Sequence, residues 1–117
     1  MVLVVDDVDA TRNGLAELLR TLGYDACAAR NGAEGLQMLR AEARICAVVL
    51  DLRMPGTSGY WFREQQLQDP AIAGVPVIVF TGAGKQDDIA KLQVSEVLIK
   101  PLSVDRLLEA ISRCCNM

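Results

Sequence analysis

The sequence predicts an α/β domain in which helices cover both faces of a five-stranded parallel sheet. Four short runs are apolar at consecutive positions instead of alternating, which is typical of strands buried on both faces, and a fifth, weaker run contains Asp25. Segments with apolar residues at helical spacing separate these runs, and this alternation indicates a parallel sheet. The runs lie at residues 2–5, 24–28, 47–50, 77–80 and 97–99. No repeat or linker interrupts the pattern, so we expect one domain over residues 1–117.

The first half of the chain provides three strands and two helices. The first helix shows leucines at helical spacing between Asp9, a candidate N-cap, and Gly23, a stop signal. The second helix begins at Asn31, and Glu34 follows three residues later as in a capping box. The third strand ends at Asp51, just before a Met-Pro-Gly turn.

The second half of the chain is less regular. The third helix has a poor apolar pattern, because Gln65 and Gln66 stand where its buried face should continue, and we expect Trp61 to be partly exposed. A fourth helix, around residues 87–92, is short at best. The last helix follows Ser103 as its cap and places apolar residues on one face at Val104, Leu107, Leu108, Ile111 and Cys115.

Composition excludes several function classes. The net charge of −3 and the absence of a basic patch argue against nucleic acid as a direct partner. No apolar run approaches the roughly 18 residues of a membrane span, and we expect no signal peptide. The absence of histidine excludes Ser-His and Cys-His catalysis and histidine zinc sites. Without metal-ligand spacing among the cysteines, we expect a reduced, cytoplasmic protein with thiols at Cys27, Cys46, Cys114 and Cys115.

Polar residues follow four of the predicted strands at the point where each ends. Asp6 and Asp7 follow the first strand, Asp51 the third, Thr81 the fourth and Lys100 the fifth. In a doubly wound sheet of order 2-1-3-4-5 the first and third strands are neighbours, so three carboxylates should meet at one edge. Such carboxylates repel each other and favour a bound cation, for which Mg²⁺ is suited. A hydroxyl and an ammonium beside them suit phosphate oxygens.

Each of these residues, taken alone, is more often structural. Adjacent aspartates after a strand are usually a solvated turn or a helix cap, and an Asp before Met-Pro-Gly is usually a turn former. A Lys-Pro pair after a strand is ordinarily a loop. The site is predicted because all four positions fall at equivalent ends of successive strands.

These motifs together resemble the receiver domain of two-component response regulators over the whole chain. The resemblance implies a flavodoxin-like, three-layer αβα fold. It also implies a phosphoryl group taken from a partner histidine kinase or histidine phosphotransfer protein. The motifs that carry it are Val2-Leu3-Val4-Val5-Asp6-Asp7, Asp51-Leu52-Arg53-Met54-Pro55-Gly56 with Gly59, Val79-Phe80-Thr81-Gly82 and Lys100-Pro101.

The resemblance also assigns roles to individual residues. Asp51 matches the phosphoacceptor, Thr81 the hydroxyl that moves to the phosphoryl group, and Lys100 the cation that contacts it. The implied Mg²⁺ ligands are Asp6, Asp7, Asp51 and the main-chain carbonyl of Arg53.

The chain departs from the family pattern on its output side. The position three before Lys100, usually aromatic, is Val97. Thr81 and Lys100 are 19 positions apart (100 − 81), about three fewer than is usual, which shortens the fourth helix by close to one turn. Arg53 places a long cation two positions after the phosphoacceptor. We therefore expect intact chemistry and an altered output face, which a downstream protein partner would bind.

We expect a Mg²⁺-dependent phosphoacceptor domain and not an enzyme, although it would slowly lose its own phosphoryl group. It either stands alone or was cut from a hybrid histidine kinase or larger regulator. Two alternatives remain open. A pseudo-receiver would keep the fold without being phosphorylated, as the altered fourth helix suggests. An aspartyl-phosphate phosphatase would need a second acid where this chain has Arg53.

Overall fold

The observed elements follow the predicted alternation of strands and helices. A computed structural model describes residues 1–52, 59–81, 93–99 and 103–115. All strand pairs are parallel in the order β2-β1-β3-β4-β5, which confirms the doubly wound sheet. The strands are β1 (Val2–Val5), β2 (Ala26–Ala29), β3 (Ala47–Asp51), β4 (Val77–Thr81) and β5 (Glu96–Ile99). The helices are α1 (Asp9–Thr21), α2 (Gly32–Ala41), α3 (Gly59–Gln68) and a C-terminal helix (Val104–Cys115).

The two faces of the sheet carry separate apolar cores, which explains why the strands are apolar at consecutive positions. One face packs against α2 and α3, and the other against α1 and the C-terminal helix. The first core includes Leu3, Val5, Leu36, Leu39, Val48, Leu50, Phe62, Val77 and Val79. The second includes Val2, Val4, Leu15, Leu19, Val49, Ile78, Phe80, Leu107 and Ile111.

The two predicted caps in the first half of the chain differ in outcome. The Asn31 cap is confirmed, because its side-chain oxygen accepts the Glu34 amide at 2.8 Å. The Asp9 cap was wrong. α1 begins at Asp9 itself, Val8 occupies the cap position without a side-chain bond, and the Asp9 carboxylate pairs with Arg12 at 2.7 Å.

The poor apolar pattern of α3 has a structural reason. Gln66 is fully buried, and its Nε2 donates to the carbonyl oxygens of Ile72 and Val75, each at 2.9 Å. Its Oε1 accepts from the guanidinium of Arg63 at 2.8 Å, so the buried amide is hydrogen-bonded on both sides. Trp61 is half-buried against the first core, which confirms its predicted partial exposure. Gln66 thus replaces apolar packing with a polar link to the connection before β4.

The prediction of four reduced thiols was wrong for one pair. Cys46 and Cys115 form a disulfide, with their Cα atoms 5.2 Å apart. Spacing could not reveal this pair, because the two residues are 69 positions apart and meet only when the C-terminal helix packs on the sheet. Cys27 and Cys114 are free thiols, as predicted.

Several predictions fall on residues outside the described ranges. These are the short helix around residues 87–92, the Arg53 carbonyl and the Lys100 ammonium. Of the helices that the structure describes, none combines the length and the apolar character that crossing a membrane requires.

Candidate metal and phosphoryl site

The carboxyl edge of the sheet brings the predicted acidic residues together. β1 lies beside β3, and the register pairs Val5 with Leu50, so Asp6 and Asp51, each one residue further along, emerge side by side. Asp6 and Asp7 follow β1, and Asp51 is the last residue of β3. The meeting follows from strand order alone, as the sequence predicted.

The three carboxylates form a compact cluster. One oxygen from each of Asp6, Asp7 and Asp51 lies within 4.8 Å of the others. Asp6 and Asp51 are buried residues, at 1% and 2% exposure, and Asp7 is half-buried. Three buried or half-buried carboxylates repel one another at neutral pH unless a cation offsets their charge. The donor set is all oxygen, which fits a hard divalent ion such as Mg²⁺.

Arg12 supports the backbone of this cluster, and the sequence analysis missed it. Its guanidinium is buried and donates to the main-chain oxygen of Asp6 at 3.3 Å and to the carboxylate of Asp9 at 2.7 Å. The Asp6 carboxylate in turn accepts the Val8 amide at 2.9 Å. The available signal was a cation in the first turn of α1, on the face that carries Leu15 and Leu19.

Thr81 lies on the same edge of the sheet. It is the last residue of β4, it is 1% exposed, and the register pairs its neighbour Phe80 with Asp51. Thr81 therefore ends the strand that lies beside β3, the strand that carries Asp51. Among the described residues, this edge combines three carboxylates with one hydroxyl.

Gly59 sets the position of α3 against the end of β3. A Cβ at this position would lie 2.7 Å from the Asp51 carbonyl oxygen and 2.8 Å from the Leu52 Cα. Both are backbone atoms that cannot rotate away. A glycine is therefore required where the first turn of α3 passes behind Asp51, and this contact fixes the strand end from which the carboxylate projects.

The arrangement suits chemistry in which a carboxylate acts as a nucleophile beside a metal ion. A buried carboxylate oxygen, further metal-binding carboxylates and an adjacent hydroxyl are the groups used to form an acyl phosphate. Because residues 1–117 contain no histidine, a phosphohistidine donor would have to lie outside this domain.

Comparisons with known proteins agree on one family. A model of the response regulator receiver domain matches residues 2–112. Protein PilH of Pseudomonas aeruginosa is 28% identical over 114 residues, covering 95% of this chain and 93% of PilH. A response regulator receiver protein from Pseudomonas putida superposes with a TM-score of 0.90 at 31% identity, covering 96% of this chain and 94% of that one.

A third relative has been solved with bound ligands. The response regulator TrrA of Thermotoga maritima, in complex with Mg²⁺ and BeF, superposes with a TM-score of 0.84 at 28% identity, covering 97% of this chain and 96% of that one. Relatives differ greatly in length. The chain spans only 7% of the hybrid signal transduction protein DokA of Dictyostelium discoideum, to which it is 30% identical over 112 residues.

Proposed function

This chain belongs to the response regulator receiver domain family of two-component systems, and on that premise we propose that Asp51 accepts a phosphoryl group from a phosphohistidine on a partner protein. The partner is a histidine kinase or a histidine phosphotransfer protein. The observation that carries the proposal is the cluster of Asp6, Asp7 and Asp51, in which one carboxylate oxygen of each residue lies within 4.8 Å of the other two. Receiver domains are signalling domains, and the single domain proposed here spans residues 1–117.

The chain's own residues supply the nucleophile and the binding groups. The proposed Mg²⁺ ligands are Asp6, Asp7, Asp51 and the main-chain carbonyl of Arg53. When bound, Mg²⁺ neutralises charge on the carboxylates and on the phosphoryl oxygens. An oxygen of Asp51 attacks phosphorus as the bond to the partner's imidazole nitrogen breaks. Burial of Asp51 limits the access of water, so the acyl phosphate is lost slowly by hydrolysis.

Thr81 and Lys100 are proposed to hold the phosphoryl group once it has been transferred. The Thr81 hydroxyl donates to a phosphoryl oxygen, and the Lys100 ammonium offsets its charge. Val97 is 40% exposed on β5 and, being β-branched, has few rotamers. We therefore propose that the output does not depend on a side-chain rotation at Val97, and that a downstream protein partner binds the altered face around residues 82–92.

The setting of the domain is also a proposal. Histidine kinases present their phosphoryl donors inside the cell, so a cytoplasmic location follows from the proposed function. The domain either acts alone, as the match to nearly the full length of PilH supports, or is part of a longer protein, as the match to DokA supports.

Phosphorylation in solution tests the proposal. Incubation with acetyl phosphate and Mg²⁺ should add one phosphoryl group by intact mass, and Asp51→Asn should abolish the addition. Asp105→Asn, which removes an exposed carboxylate at the start of the C-terminal helix, is the matched control and should accept normally. A wild-type protein that binds Mg²⁺ but gains no mass would be a pseudo-receiver.

A further inference from the structure

The amino edge of the sheet carries a second chemical feature, the bonded pair Cys46 and Cys115. Cys46 immediately precedes β3, and Cys115 is the last residue of the C-terminal helix. Both residues are half-buried, so a small thiol or a partner protein can reach the edge of the pair. The next residue along the helix, Cys114, stays a free thiol.

Contacts other than the disulfide already hold the two residues together. The Cys46 amide donates to the Met1 carbonyl at 2.9 Å, which fixes Cys46 beside the start of β1. The C-terminal helix buries Leu107, Ala110 and Ile111 completely against the sheet. In its last turn, Arg113 pairs with Glu96 of β5 at 2.7 Å. The fold therefore presents the two thiols to each other whether or not they are bonded.

The neighbouring thiols are poorly suited to replace either member of the pair. Burial, and then the negative charge of Glu96, raise the pKa of the Cys114 thiol. In β2, burial and then the negative charge of Glu42 raise the pKa of the Cys27 thiol. Because the thiolate is the form that attacks a disulfide, both stay largely protonated and exchange slowly. Pairing should therefore be confined to Cys46 and Cys115.

We propose that Cys46 and Cys115 form a reversible thiol–disulfide site that fastens the end of the C-terminal helix to the start of β3. Its reaction partners are disulfides and dithiols, such as the glutathione couple. A thiolate of the pair attacks the external disulfide, forming a mixed disulfide and releasing one external thiol. The second cysteine then attacks the mixed disulfide and releases the other thiol. Two protein thiols and one external disulfide give one protein disulfide and two external thiols.

The reversible character follows from the fold and from the setting. A disulfide in a reducing compartment is usually transient or redox-sensing. The apolar contacts of Leu107, Ala110 and Ile111 do not involve the sulfur atoms, so the folded domain survives reduction. Only the last turn of the helix then loses an anchor. The reducing setting rests on the proposed function, whereas the bonding of the two cysteines does not depend on Asp51, which lies at the opposite end of β3.

Redox titration of the folded, full chain tests the site. The protein is equilibrated with graded ratios of reduced and oxidised glutathione, then acid-quenched, alkylated and mapped by peptide mass. We expect a peptide pair linked through Cys46 and Cys115 that disappears when the native protein is returned to reduced glutathione. Cys114→Ser is the matched control and should titrate like the wild type, whereas Cys115→Ser should form no native disulfide.

Hydrogen exchange provides a second measurement that needs no substitution. Amides of residues 112–115 should exchange at least several-fold faster in the reduced wild type, while amides of β1 and β3 stay protected. Three results would overturn the proposal: no disulfide at any glutathione ratio, a disulfide that involves Cys114 or Cys27, or a Cys46–Cys115 bond that glutathione reduces only after denaturation.

Discussion

The two ends of β3 differ in their chemistry: one carries a cluster of carboxylates and the other a disulfide. Asp51 ends the strand among carboxylates that repel it, whereas Cys46, about 16 Å away along the strand, precedes it and is bonded to Cys115. The carboxyl end gathers three carboxylates, one oxygen of each lying within 4.8 Å of the others, and such a cluster favours a bound cation. The amino end is satisfied within the chain. One strand thus connects a site that an external ligand stabilises to a site that stabilises the chain itself.

Removing the covalent link should have the largest effect on stability. The disulfide joins residues 69 positions apart, and cross-links that close loops of this size typically stabilise by about 2–4 kcal/mol. Reduction, or Cys115→Ser, should therefore lower the melting temperature by roughly 10 °C. The neighbouring Cys114→Ser should not. Equal melting temperatures for the oxidised wild type and Cys115→Ser would show that the disulfide does not stabilise the folded domain.

Binding of Mg²⁺ at the carboxyl end of β3 should raise the stability of the folded domain by an amount comparable to that of the disulfide. A metal that binds only the folded state adds about 2.7 kcal/mol of stability at 100 times its Kd. Asp7→Asn should reduce this gain and, without metal, should raise the melting temperature by relieving repulsion. Asp25→Asn, an exposed carboxylate before β2, is the control and should keep the full gain. A melting temperature indifferent to millimolar Mg²⁺ would count against the metal site.

Gly59→Ala probes the packing behind Asp51. The added Cβ would meet two backbone atoms within 2.8 Å, so we expect a loss of about 1–3 kcal/mol in the free energy of unfolding. Gly14→Ala is the matched control, because nothing lies within 4 Å of a Cβ there. Inside α1 it should stabilise by roughly 0.5–1 kcal/mol. Thermal unfolding of both variants checks this, and a Gly59→Ala protein as stable as the wild type would refute the close contact.

The smallest effect should come from an exposed ion pair between α2 and the residue after α3. A hydrogen bond from Arg40 at 3.0 Å, followed by the Ala71 amide, holds the pKa of Asp69 below its ordinary value. The associated stability is present above the ordinary pKa of an aspartate and is lost as the pH falls through the lowered one. Arg40→Gln should raise the pKa of Asp69 in a carboxyl NMR titration.

The control for this titration is Arg30→Gln, because Arg30 pairs with Glu34 at the other end of α2. It should leave the pKa of Asp69 unchanged. An Asp69 that titrates identically in the wild type and in Arg40→Gln would show that the ion pair is not formed in solution.

The sequence predicted those features that depend on local pattern and strand order. Consecutive apolar residues located the strands, and the 2-1-3-4-5 order then brought Asp6 and Asp51 together without any knowledge of side-chain contacts. The missed features depend on contacts between distant segments. Gln66 looked like a defect in α3 because its partners are carbonyl oxygens in the connection before β4. Cys115 looked like one more apolar position because its partner lies far away in the sequence.

The phosphoacceptor assignment is tested most directly by locating the phosphoryl group on its residue. Borohydride reduces an acyl phosphate to an alcohol and leaves ordinary carboxylates unchanged, so a phosphorylated Asp51 would be converted to homoserine. After treatment with acetyl phosphate and Mg²⁺, peptide mass analysis should find this conversion at position 51 only, in both the oxidised and the reduced protein, and should find none when Mg²⁺ is chelated. Conversion at Asp6 or Asp7, or no conversion in the presence of Mg²⁺, would contradict the assignment.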